Sequence, residues 1–96
     1  MDRKIIMSDL REIRYYYLRR AAMEEAEHTF RTSLLVIKVR KYADVMEKAP
    51  IRLYDLYAQI IVRNVSQVKL AEEWNYSLHT IHWWMSKLYD YLAKNL

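Results

Sequence analysis

The chain has 96 residues, 16 Lys and Arg against 12 Asp and Glu for a net charge of +4, no cysteine, no glycine and one proline, Pro50. That length holds one small domain with a modest core. The missing cysteines exclude disulfides and thiolate metal sites, and the missing glycines argue against phosphate-cradling loops, dinucleotide-binding turns and hairpin-rich β folds.

The first seven residues carry no strong periodicity. Ser8 suits an N-cap, with Asp9 and Glu12 in the turn behind it. Leu10, Ile13, Tyr17 and Ala21 then follow helical spacing, so a first helix is expected over residues 8–28. Its outer face carries Arg11, Arg14, Arg19 and Arg20, followed by Glu24, Glu25 and Glu27. Thr29, Thr32 and Ser33 form a helix-disfavouring cluster. Thr32 or Ser33 is read as the cap of a second helix to Lys48, with Leu34, Leu35, Ile37, Val39, Tyr42, Val45 and Met46 as its apolar positions. A single helix over 8–48 is the rival reading, because neither proline nor glycine interrupts it.

Pro50 ends that region, since the residue before a proline is pushed out of the α conformation. A helix over 51–63 is expected with Leu53, Leu56, Tyr57, Ile60 and Ile61 inward, then a connector at Asn64-Val65-Ser66. Ser66 caps a short helix over 67–74 with Leu70 and Ala71 inward. Asn75-Tyr76-Ser77 is a tight turn, in which asparagine tolerates a left-handed conformation better than most side chains. Ser77 caps the last helix, 78–95, whose inward set is Ile81, Met85 or Trp84, Leu88, and Tyr91 or Leu92. The expectation is therefore an all-α fold. A helical hairpin or long helix over 1–49 would serve oligomerisation or partner contact, and a three-helix helix-turn-helix module would occupy 50–96.

A short helix, a tight turn and a longer capped helix are the parts of a DNA-reading motif. The stretch 50–96 resembles region four of bacterial sigma factors. The resemblance rests on Pro50-Ile51-Arg52-Leu53-Tyr54-Asp55-Leu56-Tyr57, then Ser66-Gln67 with Leu70-Ala71-Glu72-Glu73, then Ser77 and Thr80-Ile81. It covers about half the chain. With the helical first half added, the chain also looks like small phage-encoded regulators of late transcription, the ArpU and RinA type. Asn75 stands where this pattern commonly has glycine, and His79, His82, Trp83 and Trp84 stand where arginine and lysine are common.

Carried over by position, the resemblance implies base contacts from Leu78, His79, Thr80, His82 and Trp83, where Thr80 can also meet a thymine methyl. It implies phosphate contacts from Arg63, Gln67, Lys69, Ser77, Ser86 and Lys87. His79 and His82 have metal-compatible spacing, but no third ligand is near in sequence and no metal is expected. Trp83 and Trp84 cannot both be buried if Ile81 and Leu88 face inward. Tyr15, Tyr16 and Tyr17 span most of a helical turn, so at least one ring points outward; they are read as an oligomer or partner interface. The arginines of the first helix are either a solvated face or a second phosphate-binding patch.

No nucleophile, base and acid occur at recognisable spacing, so an enzyme, a cofactor and a small-molecule substrate are not expected. No apolar run approaches membrane-spanning length and no signal peptide is read, which predicts a soluble, cytoplasmic protein. The reading is a DNA-binding transcriptional regulator of phage or mobile-element type. Its partners would be double-stranded DNA, a second copy of the chain, and RNA polymerase. A DNA-packaging adaptor resembling a small terminase subunit, and a protein-binding inhibitor using the N-terminal helices, are the alternatives. Charge bears on the choice. Residues 1–50 hold 11 basic and 8 acidic side chains, but residues 51–96 hold only 5 and 4.

Overall fold

The computed structural model describes residues 1–20 and 34–96. Among these, every regular element is helical and none is a strand. They are α1 (Arg3–Leu18), α2 (Leu34–Glu47), α3 (Ile51–Tyr57) running on into a π-helical stretch (Ala58–Val62), α4 (Gln67–Glu73) and α5 (Leu78–Asn95). None of the described helices is long and apolar enough to cross a membrane. The expectations for Ala21, Glu24, Glu25, Glu27, Thr29, Thr32 and Ser33 lie outside the described residues.

Helix α1 starts five residues earlier than its sequence suggests. Asp2, not Ser8, is the N-cap, and its carboxylate accepts a hydrogen bond from the Lys4 amide at 3.0 Å. The reason is packing. Ile6, Leu10 and Ile13 share one face and are 0–3% exposed, so a helix begun at Ser8 would leave Ile6 outside the core. Burying such a side chain is worth about 1.5–3 kcal/mol, more than the difference between two good caps. The helix ends at Leu18, with Arg19 in a turn. Neither an unbroken helix over 8–28 nor one over 8–48 therefore forms.

Helix α2 buries Val36, Val39, Tyr42 and Met46. Leu34 and Ile37, expected inward, are 82% and 52% exposed. This segment has more apolar residues than one face can hold, and its rotation is set by polar contacts. The Tyr42 hydroxyl donates to Asp9 at 2.7 Å, and Lys38 pairs with Asp9 at 2.9 Å and Glu12 at 2.7 Å. Ile37, two residues from buried Val39, then points the opposite way.

Pro50 precedes α3 as expected, but 51–63 is not one α-helix. A π turn occupies Ala58–Val62, and Leu56, Tyr57, Ile60 and Ile61, whose spacing also suits one face of a plain α-helix, are buried in the core. The stretch closes on Asn64, in the left-handed region at φ 57°. Its side-chain amide donates to the carbonyl of Arg14 at 3.1 Å, fastening the connector to α1.

Helix α4 is capped by Ser66, whose hydroxyl accepts from the Lys69 amide at 3.1 Å. It closes on Asn75, also at φ 57°. The Tyr76 amide donates to Ala71 O at 2.8 Å and the Asn75 amide to Glu72 O at 3.2 Å, the paired bonds of a Schellman ending. Ser77 then caps α5, accepting from the Thr80 amide at 3.1 Å. Leu70, Ala71, Ile81, Met85, Leu88 and Leu92 are buried at the α4–α5 junction and along α5, with Trp84 and Tyr91 partly covered. These side chains join Ile6, Leu10, Ile13, Val39, Tyr42 and Met46 in one continuous core.

Candidate nucleic-acid interface

A helix that reads a groove needs one face anchored in the core and another left free, with polar and apolar groups facing out. Helix α5 meets that requirement. Beside and opposite its buried stripe, Leu78, His79, His82, Trp83 and Lys87 are exposed. Trp83, 51% exposed, does not swing freely. Its ring stands edge-on to Trp84 at 5.0 Å, and the Lys87 ammonium lies 5.0 Å from its centroid. Trp84 is the half-buried member of the pair.

The remaining expected contacts are distributed unevenly. Thr80 is half-buried, and its hydroxyl is 2.9 Å from that of Ser77. The Ser77 oxygen is therefore engaged at the cap. Ser86 is engaged too: its hydroxyl and carbonyl oxygens both accept from Arg3, each at 3.2 Å, where α1 crosses α5. Arg3 also pairs with Asp90 and lies 5.5 Å from the Tyr89 ring. Burial pushes the Tyr89 hydroxyl pKa up, while the nearby Arg3 and Arg14 pull against it. Arg63 and Lys69 are exposed.

Comparison with protein-family models, with curated proteins and with solved structures finds no match to this chain.

Gln67 sits apart from the α5 face, in a cleft of about 150 Å³ that it shares with Arg11 and Arg14 of α1 and Met85 and Tyr89 of α5. Two buried polar atoms there, Nε of Arg14 and Oε1 of Gln67, have no hydrogen-bond partner among the described residues. The tyrosine run divides. Tyr15 is 51% exposed with Arg19 over its ring at 5.8 Å, whereas Tyr16 and Tyr17 stack edge to face at 5.3 Å and pack against the core. Within that run Tyr15 is the exposed member. Among the described residues no three His, Asp or Glu side chains gather as metal ligands.

One contributor escaped the sequence reading. Arg52 of α3 faces three rings, Trp74 at 5.1 Å, Tyr76 at 5.6 Å and Trp84 at 5.8 Å. It ties α3 to the turn and to α5. Periodicity could place Arg52 only beside inward Leu53; the rings it meets are more than twenty residues away in the chain.

Proposed function

We propose that this chain is a sequence-specific regulator of transcription that binds double-stranded DNA by laying α5 in the major groove, and that it is of phage or mobile-element type. One observation carries the reading. A short capped helix and a tight turn present a longer helix whose inner face is locked in the core, while Leu78, His79, His82, Trp83 and Lys87 stand free on the other. Imidazoles donate to or accept from base edges, and Lys87 suits a phosphate. The likeness of 50–96 to sigma region four points the same way. In this reading the N-terminal helices contact a second copy of the chain or RNA polymerase, and a dimer would require two-fold sites.

The test is selection of bound duplexes from a random pool, followed by gel-shift titration at low and moderate salt. Enrichment of a defined site supports the reading. Absence of duplex binding even at low salt overturns it.

A further inference from the structure

We propose that the cleft between α1, α4 and α5 is a second anion site, formed by Arg11, Arg14 and Gln67, that grips a phosphodiester of the same duplex whose groove α5 enters. This rests on the reading of α5 given above.

Four observations converge. Arg11 and Arg14 are three residues apart on α1 and therefore share a face, and both line the cleft. Among the described residues no carboxylate lines it and neither arginine forms an ion pair, whereas Arg3 and Lys38 are committed to Asp90, Asp9 and Glu12. The Arg14 Nε–H is buried without an acceptor among the described residues. Leaving such a donor unmade is unfavourable, and an incoming oxyanion would relieve it. Gln67 contributes the fourth observation. Its buried Oε1 is also unpartnered among them, and turning the amide end over exchanges that oxygen for an NH2 donor.

Position selects the anion. On α5, Leu78, His82, Met85 and Tyr89 follow one another at spacings of four, three and four, a single stripe along the helix. Its lower half, Met85 and Tyr89, lines the cleft; its upper half, Leu78 and His82, is exposed on the groove-reading face. A duplex seated on the upper half carries its phosphate backbone past the lower. The site also supplies what 51–96 lacks, since that segment has an excess of one positive charge. The Asn64 side chain, bonded to the Arg14 carbonyl, fixes α1 against the connector that leads into α4.

The experiment measures affinity of the full chain for one random-sequence duplex across a range of potassium chloride concentrations. The chain is compared with the double variant Arg11→Gln/Arg14→Gln, with Arg14→Lys, with Gln67→Ala, and with a charge-matched control, Lys41→Gln/Lys48→Gln, in and just after α2. Thermal melting establishes that each variant is folded. The double variant is expected to lower the slope of log affinity against log salt by about 0.9, the contribution of the one phosphate that the cleft neutralises. Arg14→Lys should keep the slope, and Gln67→Ala should weaken binding several-fold without changing it. The control should leave the slope unaltered. Binding by the unaltered chain, with the double variant matching it or the control showing an equal drop in slope, overturns the cleft while leaving the α5 reading intact. No binding by the unaltered chain overturns both.

Discussion

The guanidinium of Arg52 lies 5.1 Å from the centroid of the Trp74 ring, and the same group faces Tyr76 and Trp84. A cation on α3 thereby holds together the end of α4, the turn and the start of α5, the segments that must keep a fixed relation if α5 is to present one face. Arginine suits this place because its planar, weakly hydrated head stacks on rings better than an ammonium does.

Arg52→Ala should lower stability by about 1–2 kcal/mol, from cation–π contacts of about 0.5–1 kcal/mol each that are not fully additive. For a chain of this size the melting temperature would fall by roughly 4–8 °C per kcal/mol. Arg52→Lys should fall between the two. An unchanged melting temperature in Arg52→Ala would show that the rings hold the turn unaided.

The two left-handed asparagines should respond differently to glycine. Asn75 makes no side-chain hydrogen bond among the described residues, so Asn75→Gly relieves backbone strain and should be neutral or stabilising by a few tenths of a kcal/mol, roughly balanced by unfolded-state entropy. Asn64→Gly relieves the same strain but removes the bond to Arg14 O, and should cost about 1 kcal/mol. Denaturant midpoints of the two variants, compared side by side, decide the matter.

Tyrosines 42 and 57 form a second contrast. Tyr42 donates to Asp9, whereas the Tyr57 hydroxyl is buried without a partner among the described residues. Tyr42→Phe should destabilise by about 1.5 kcal/mol, and Tyr57→Phe should be neutral or stabilising. Burial raises both pKa values above the ordinary 10.0, with the Asp9 carboxylate adding to the effect at Tyr42. The folded chain therefore holds these protons more tightly than the unfolded chain. The stability so gained is fully present below pH 10.0 and is lost as pH rises above it. Unfolding measured from neutral to strongly alkaline pH should show that loss, and each Phe variant should make it shallower.

On the proposed DNA face, His82→Ala should relax discrimination at one base pair by about 1–3 kcal/mol, with little change in salt dependence. Lys87→Gln should weaken all sequences alike and lower the salt slope by about 0.9. Titrations against a selected site and its single-base variants separate these outcomes; identical behaviour of the two variants would refute the assignment of base and phosphate roles.

What the sequence made legible was local. Proline before α3, serine caps at Ser66 and Ser77 and the left-handed Asn75 are signals that act within one turn of chain, and all appear in the structure. The outward phase of Leu78, His79, His82, Trp83 and Lys87 follows from the same periodicity that buries Ile81 and Leu88. Features set by distant partners were not legible. Asp2 replaces Ser8 as a cap because Ile6 finds a pocket, and Val36 replaces Ile37 because Tyr42 reaches Asp9; the π turn at Ala58–Val62 leaves no mark in an apolar spacing that a plain α-helix would also satisfy. The capture of Ser86 by Arg3, where α1 crosses α5, and the cleft that Gln67 of α4 shares with Arg11 and Arg14 of α1 are likewise products of tertiary packing.

The single core that joins Ile6, Leu10 and Ile13 to Leu56, Ile61 and Leu88 has a consequence for engineering. Residues 50–96 are not a transplantable cassette. Cut free at Pro50 and grafted to another carrier, they would bring a raw apolar flank where α1 had lain, and the graft would need a replacement for that helix before it could be expressed without aggregating. Retargeting this chain is better pursued by exchanging exposed side chains of α5 in place.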